Sequence, residues 1–259
     1  MHDASEIILA ERTTQFPAFI MLAATFNPDL AYKYGHAVGE EARMAGAGVI
    51  LGPGMNIYRN AQCGRNFEYL GEDPHLAASI IYDYVTGMQS TGTLACAKHF
   101  LCNQTEFYRR RSNSIVDERA IMEIYTPAFK AAIDADVATV MTAYNQLNGE
   151  WTGQSKYVIT DLLRGTLGFK GMVMSDWNSI YNWKDVILSG QNLDMPGEDA
   201  FYIKKKPADL VAEGVVTEKD IENMIRPTIA TCIRWGLYDR YNSGKQYDKS
   251  LEAKLPAHL

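Results

Sequence analysis

Long hydrophobic runs are missing from this 259-residue sequence: its most apolar stretch, Ala18 to Phe26, covers nine residues and already contains Thr25. A helix needs about 20 apolar residues to cross a bilayer, so no membrane span is expected. Basic charge is in deficit, with 25 Lys and Arg against 31 Asp and Glu and a net charge of −6. A nucleic-acid partner, which calls for a basic face, is not expected either. Cysteine is sparse. Cys63, Cys96, Cys102 and Cys232 form no Cys-x-x-Cys pair, which argues against a disulfide scaffold or structural zinc and for free thiols in a reducing compartment. The opening Met1-His2-Asp3-Ala4-Ser5-Glu6 has no basic region leading into an apolar stretch. No secretory signal is read there, and a cytoplasmic location is the expectation.

What is present suffices for a large core, since 47% of residues are hydrophobic and 22% charged. Strand-like apolar runs recur at Phe19–Ala24, Gly48–Pro53, Leu94–His99, Ala138–Tyr144, Gly171–Asp176 and Asn192–Pro196. Helical stretches separate them. Asn27-Pro28 and Asp73-Pro74 are helix starts, a capping side chain followed by a residue with no amide to leave unsatisfied. One helix is expected from about Val116 to Asp134, another from Lys156 to Leu167, and a last one opened by Thr217-Glu218-Lys219-Asp220. Strand–helix alternation with nearly continuous apolar strands predicts the α/β class, a TIM-like (β/α) barrel. Six strands are fewer than eight, so the barrel is expected to be incomplete. The domain reading is an N-terminal extension over 1–15, the barrel over 16–239, and a polar linker over 240–259.

Polar residues gather where the apolar runs end: Asn56 and Arg59, Lys98 and His99, Tyr144 and Asn145, Asp176 and Trp177, Asp194. In a parallel barrel those ends share one rim, the rim that carries chemistry. Asp176, beside an aromatic, suits a general base, a ligand or a nucleophile. Too few carboxylates and imidazoles converge for a metal, and no metal or other cofactor is expected. An aromatic platform next to a carboxylate fits a sugar ring. Lys98 offers a rival as a Schiff-base nucleophile, but the acidic stretch Asp194–Asp199 would repel the phosphorylated substrates of such enzymes.

Four segments then resemble glycoside hydrolase family 3, the β-glucosidase family. They are Gly64-Arg65-Asn66-Phe67-Glu68-Tyr69-Leu70-Gly71-Glu72-Asp73-Pro74, Ala97-Lys98-His99-Phe100, Met141-Thr142-Ala143-Tyr144-Asn145-Gln146-Leu147-Asn148-Gly149 and Val173-Met174-Ser175-Asp176-Trp177. The resemblance implies a retaining β-glycosidase acting on terminal β-D-glucosyl residues of a β-linked glucoside or short oligosaccharide. It makes Asp176 the catalytic nucleophile. Arg65, Lys98 and His99 become the residues that hold sugar hydroxyls, Met141 a pocket wall, Tyr144 a neighbour of the nucleophile and Trp177 the adjoining aromatic. An ion pair from Arg65 to Glu68, Glu72 or Asp73 is the structural alternative for that arginine.

The pattern departs from the family in two places. No counterpart of the family's Asp-Gly-Pro segment precedes Phe16, so the resemblance implies a barrel incomplete at its N-terminal strand, and the family's acid/base glutamate belongs to a following α/β sandwich domain. The histidine acid of the β-N-acetylglucosaminidase branch has no counterpart between Phe100 and Asp117. Glu106 lies among Arg109, Arg110 and Arg111, which make it a poor proton donor and a structural ion-pair member. The acid is therefore expected from a sandwich domain or another chain, and the isolated chain is expected to be a poor hydrolase. Apolar edges of an incomplete barrel would favour such a partner or a second copy. The alternative function is a non-catalytic sugar-binding subunit or an inactive fragment.

Overall fold

The computed structural model describes residues 13–197, 203 and 205–242. Most of the expected N-terminal extension, and the expected linker from residue 243 on, lie outside the described residues. The elements run α1 (Phe19–Ala23), α2 (Pro28–Met44), β1 (Val49–Ile50), α3 (Pro74–Ser90), β2 (Leu94–Phe100), β3 (Asn113–Ser114), α4 (Glu118–Ala120) and α5 (Pro127–Asp134). There follow β4 (Thr139–Thr142), β5 (Gln146–Leu147), β6 (Glu150–Trp151), a wide π-wound helix (Tyr157–Thr166), β7 (Met172–Trp177), α6 (Trp183–Ser189) and β8 (Leu193–Met195). α7 (Pro207–Ala212), α8 (Glu218–Arg234) and α9 (Leu237–Asn242) complete the order.

Five strands form one parallel sheet in chain order, β1-β2-β4-β7-β8, curled into half a barrel. Residue alternation splits its faces. Ile50, Ala95, Ala97, Val140 and Val173 face the helices, meeting Val38, Ile80, Tyr84, Met88 and Phe129. Val49, Leu94, Cys96, Met141, Met172, Met174 and Met195 face inward, where Trp235 and Leu237 pack against them. All seven residues of β2 are buried, as a strand covered on both faces requires. A second small sheet, β3-β5-β6, sits in the loops.

Helices α2 and α3 approach to backbone contact. A Cβ added at Gly35 would lie 2.1 Å from the Tyr84 carbonyl oxygen, and one at Gly87 would lie 2.1 Å from that of Tyr32. Both helix starts are capped as expected: Asn27 Oδ1 accepts from the Leu30 N–H at 3.2 Å, and Asp73 Oδ1 from the His75 N–H at 2.8 Å. The Thr217 box also forms, with Asp220 Oδ2 accepting the Thr217 N–H at 2.8 Å.

Two expectations are corrected. The run Phe19–Ala24 is helix, not strand, so the described sheet has five strands rather than six. Its burial is not alternating: Leu22 and Ala23 are both buried, and Phe19 packs edge-on against Tyr84 with ring centroids 4.9 Å apart. Short apolar runs do not distinguish the two conformations. The helix expected over Val116–Asp134 is broken, because Pro127 has no N–H to continue it. The turn before it widens, and the Thr126 N–H reaches back to the Ile121 carbonyl at 3.0 Å.

Candidate active site

The rim is assembled from strand ends. Beyond β1 the chain continues alongside β2 in an extended path: the Cys96 N–H donates to the Gly52 carbonyl, Lys98 N–H to Pro53, and Met55 N–H to Lys98, at 2.8 to 3.0 Å. The next residue, Asn56, is thereby set opposite His99. Its Nδ2 donates to the His99 carbonyl and its Oδ1 accepts the His99 N–H, both at 2.9 Å. The imidazole is 1% exposed. Its Nε2 faces Asp176 Oδ2 at 3.4 Å, and its Nδ1 lies 3.4 Å from the Tyr69 hydroxyl.

Asp176 is the penultimate residue of β7. Oδ1 accepts the Trp177 N–H at 2.7 Å. Oδ2 is buried without a hydrogen bond of normal geometry, although the Tyr144 hydroxyl also stands beside the carboxylate. Burial pushes the Asp176 carboxyl above the ordinary range; the Trp177 N–H, the Arg65 and Lys98 charges and the Tyr144 hydroxyl all work against that rise. His99 is held well below its usual value by burial first, then by the charges of Arg65, Lys98 and Arg109. The ring is therefore a neutral imidazole. Burial likewise raises Tyr144, with the Asp176 charge adding to it.

Lys98 is buried within β2 and reaches a cavity of about 670 Å³ whose lining includes Phe16, Phe19, Pro53, Phe67 and Glu68. Arg65 Nη2 pairs with Glu68 Oε1 at 2.6 Å, so the expected alternative ion pair does form, while the guanidinium also acts electrostatically on Asp176. Burial opposes the Arg65 charge, but Tyr69, Glu68 and Asp176 outweigh it and the group is raised. Tyr144 follows β4, and its ring is covered by Arg109 at 4.0 Å and Arg110 at 4.9 Å. Met141 sits lower, in the inner-face cluster with Cys96 and Met174. Trp177 is 38% exposed at the mouth.

Asp176, His99, Lys98, Arg65 and Tyr144 thus converge, while other rim residues do not. Arg59 is exposed and turns to Tyr125. Asn145 Nδ2 is spent on the Leu101 and Gln146 carbonyls, at 3.2 and 3.0 Å. Asp194 accepts from the Ser175 hydroxyl at 3.2 Å. Glu106 is paired with Arg109 Nη1 at 2.7 Å, as expected. Sequence reasoning missed Tyr69, although it lies inside the Arg65–Pro74 segment, and it read the arginines only as partners of Glu106. Arg110 in fact ties two rim loops together by donating to the Trp177 and Asn178 carbonyls at 2.9 and 2.8 Å. Among the described residues no three His, Cys, Asp or Glu side chains cluster as a metal site, and no helix is long and apolar enough to cross a membrane.

Residues 6–226 match the family model of the glycosyl hydrolase family 3 N-terminal domain. The β-glucosidase of Bacteroides ovatus is 40% identical over 216 residues, which are 78% of this chain and 29% of that protein. An exo-alpha-(1->6)-L-arabinopyranosidase of Bifidobacterium longum is 38% identical over 217 residues, covering 83% of this chain and 28% of its own. The structure of β-glucosidase 3B from Thermotoga neapolitana in complex with glucose superposes with a TM-score of 0.85 at 37% identity, over 95% of this chain and 36% of the other. The chain spans about a third of the length of these relatives or less. With the family model matched over most of the sequence and the half-barrel superposing on a solved member, the chain belongs to glycosyl hydrolase family 3, in the region of its N-terminal domain.

Proposed function

We propose that this chain carries the nucleophile half of a retaining β-glycosidase that releases terminal β-D-glucosyl residues. The observation behind the reading is the Asp176 carboxylate. One oxygen is fixed by the Trp177 N–H and the other is left facing His99, under the positive charges of Arg65 and Lys98. A nucleophile must be ionised and oriented, and these groups work for both against a burial that opposes ionisation. Asp176 attacks the anomeric carbon as the glycosidic C–O bond breaks and the leaving oxygen takes a proton, and it holds the sugar as a covalent ester; water then attacks the same carbon and frees both sugar and carboxylate. Arg65, Lys98 and the Nε2 edge of His99, which Asp176 shares, hold the hydroxyls of that sugar, Met141 closes the pocket floor and Tyr144 flanks the nucleophile. Trp177 offers its exposed face to the sugar.

The proton donor, about 5 to 5.5 Å from the nucleophile in a retaining enzyme, is supplied from outside the described residues. The local carboxyls Glu68 and Glu106 are both tied to arginines. A further domain, or another chain, brings the acid. The test is the intact mass of the chain after incubation with a 2-deoxy-2-fluoro-glucoside bearing an activated leaving group, which departs without acid help. The expected result is a gain of one fluoroglycosyl group that is abolished in Asp176→Ala. A folded wild-type chain that gains no mass would refute the reading.

A further inference from the structure

The contacts of the His99 ring restrict which nitrogen carries its proton. A neutral imidazole has one N–H and one lone pair, so its two nitrogens need partners of opposite kind. Nε2 faces the Asp176 carboxylate, an acceptor, at 3.4 Å. Nδ1 has two oxygens at 3.4 Å, Asn56 Oδ1 and Tyr69 Oη. The Asn56 amide cannot turn over to offer its NH2 there, because flipping it would break both 2.9 Å bonds to the His99 backbone. Its Oδ1 is an acceptor, already given to a backbone N–H. Tyr69 Oη is therefore the one donor at Nδ1 among the described residues that these contacts provide. Tyr69 is itself 1% exposed and meets the imidazole edge-on.

We infer that Tyr69 is a positioning residue that donates to His99 Nδ1, fixes the ring as its Nε2–H tautomer, and so turns His99 into a hydrogen-bond donor toward Asp176. This builds on the proposed role of Asp176. The opposite tautomer would set a lone pair against the carboxylate in a buried site, and would favour the protonated, unreactive acid. Gly54 makes the arrangement possible. A Cβ there would lie 3.0 Å from two carbons of the Tyr69 ring.

The experiment has two arms on the whole chain. Histidine-selective 15N NMR reads the tautomer directly, with His36 and His75 as references for fold. The rate of fluoroglucosyl adduct formation against pH reads its consequence. His99 is expected as neutral Nε2–H at pH 7, with Arg65, Lys98, Arg109 and Asp176 as the charges around it. In Tyr69→Phe that tautomer loses its dominance, adduct formation slows by about tenfold, and its acid limb moves to higher pH, since Asp176 loses a donor. In a His99→Gln background, Tyr69→Phe should move the acid limb no further. An Nδ1–H ring in the wild-type chain overturns the inference without any variant having to fold. So does a Tyr69→Phe chain with unchanged tautomer and acid limb. A chain that shows the expected tautomer, loses it in Tyr69→Phe, yet never forms an adduct upholds Tyr69 and refutes the glycosidase reading instead.

Discussion

The α2–α3 layer and the strand-end rim bury side chains to the same degree and with opposite chemistry. The layer hides Ala31, Val38, Ile80, Ile81, Val85 and Met88, and its helices touch through Gly35 and Gly87. The rim hides Asn56, Lys98, His99 and Asp176. It also leaves Asn103 Oδ1, Asn145 Oδ1 and Asp176 Oδ2 buried without a hydrogen bond of normal geometry. Buried polar atoms are normally satisfied, so Asp176 Oδ2, the one of the three that belongs to the converging set, marks hydrogen-bonding capacity held for a polar ligand. The layer is optimised for stability. The rim gives some up.

The sharpest way to break the comparison is to disturb the layer. Gly87→Ala would drive a methyl to 2.1 Å from the Tyr32 carbonyl oxygen, a backbone atom that cannot swing aside. A loss of about 3 kcal/mol or more is expected from such overpacking, measured as a lower urea midpoint. Fluoroglucosyl labelling of the fraction that remains folded should proceed at the wild-type rate, because none of Arg65, Lys98, His99, Tyr144 and Asp176 comes from α2 or α3.

Asp176→Asn probes the other side. The carboxyl is raised by burial, so its charged form costs the folded state free energy. Removing that charge is expected to stabilise the chain by about 1.5 kcal/mol at pH 7 while abolishing the adduct. A group whose folded value lies above its unfolded one stabilises at low pH and loses that contribution as pH rises. The gain from Asn should therefore shrink as pH falls and vanish well below the ordinary carboxyl value of 3.8, where folded and unfolded chains are both protonated. Urea titrations across this range check it.

His99 has the opposite sign. Its folded value lies well below the usual 6.5, so between about 6.5 and that lower value only the unfolded chain binds the proton. Stability then falls as pH falls through this window. Thermal unfolding from pH 7 to pH 5 should show the loss, and His99→Gln should flatten it. An unchanged slope would mean that His99 does not carry the effect.

How much of this was legible in the sequence follows from the range of the interactions. The five sheet strands, the caps at Asn27, Asp73 and Thr217, and the gathering of Lys98, His99, Tyr144 and Asp176 all rest on signals within a few residues. Phe19–Ala24 misled because six apolar residues fit either conformation, and the deciding contacts, with Tyr34 and Tyr84, lie far along the chain. The Asn56 clamp and the Tyr69–His99 contact were illegible for the same reason. Each joins segments 30 or more residues apart, and only the path from Gly52 to Met55 beside β2 brings them into register.

The smallest expected effect sharpens the comparison most. Gly54→Ala adds the same methyl as Gly87→Ala, but its nearest neighbours are the Glu68 carbonyl oxygen and two Tyr69 ring carbons, each at 3.0 Å. A ring can retreat by a few tenths of an ångström, so the cost in stability should be only about 1 kcal/mol. That retreat comes where little slack exists, because Tyr69 Oη already stands 3.4 Å from His99 Nδ1. The substitution should thus reproduce in weaker form the slowed adduct formation and the upward shift of the acid limb expected of Tyr69→Phe. The urea midpoint and the adduct rate, measured on the same protein, decide between two outcomes. A rate that falls severalfold for a small loss of stability means that the rim depends on placement. A rate that is unchanged, with the midpoint lowered, means that the rim tolerates displacement as the layer does not, and the contrast between the two regions then lies in their chemistry alone.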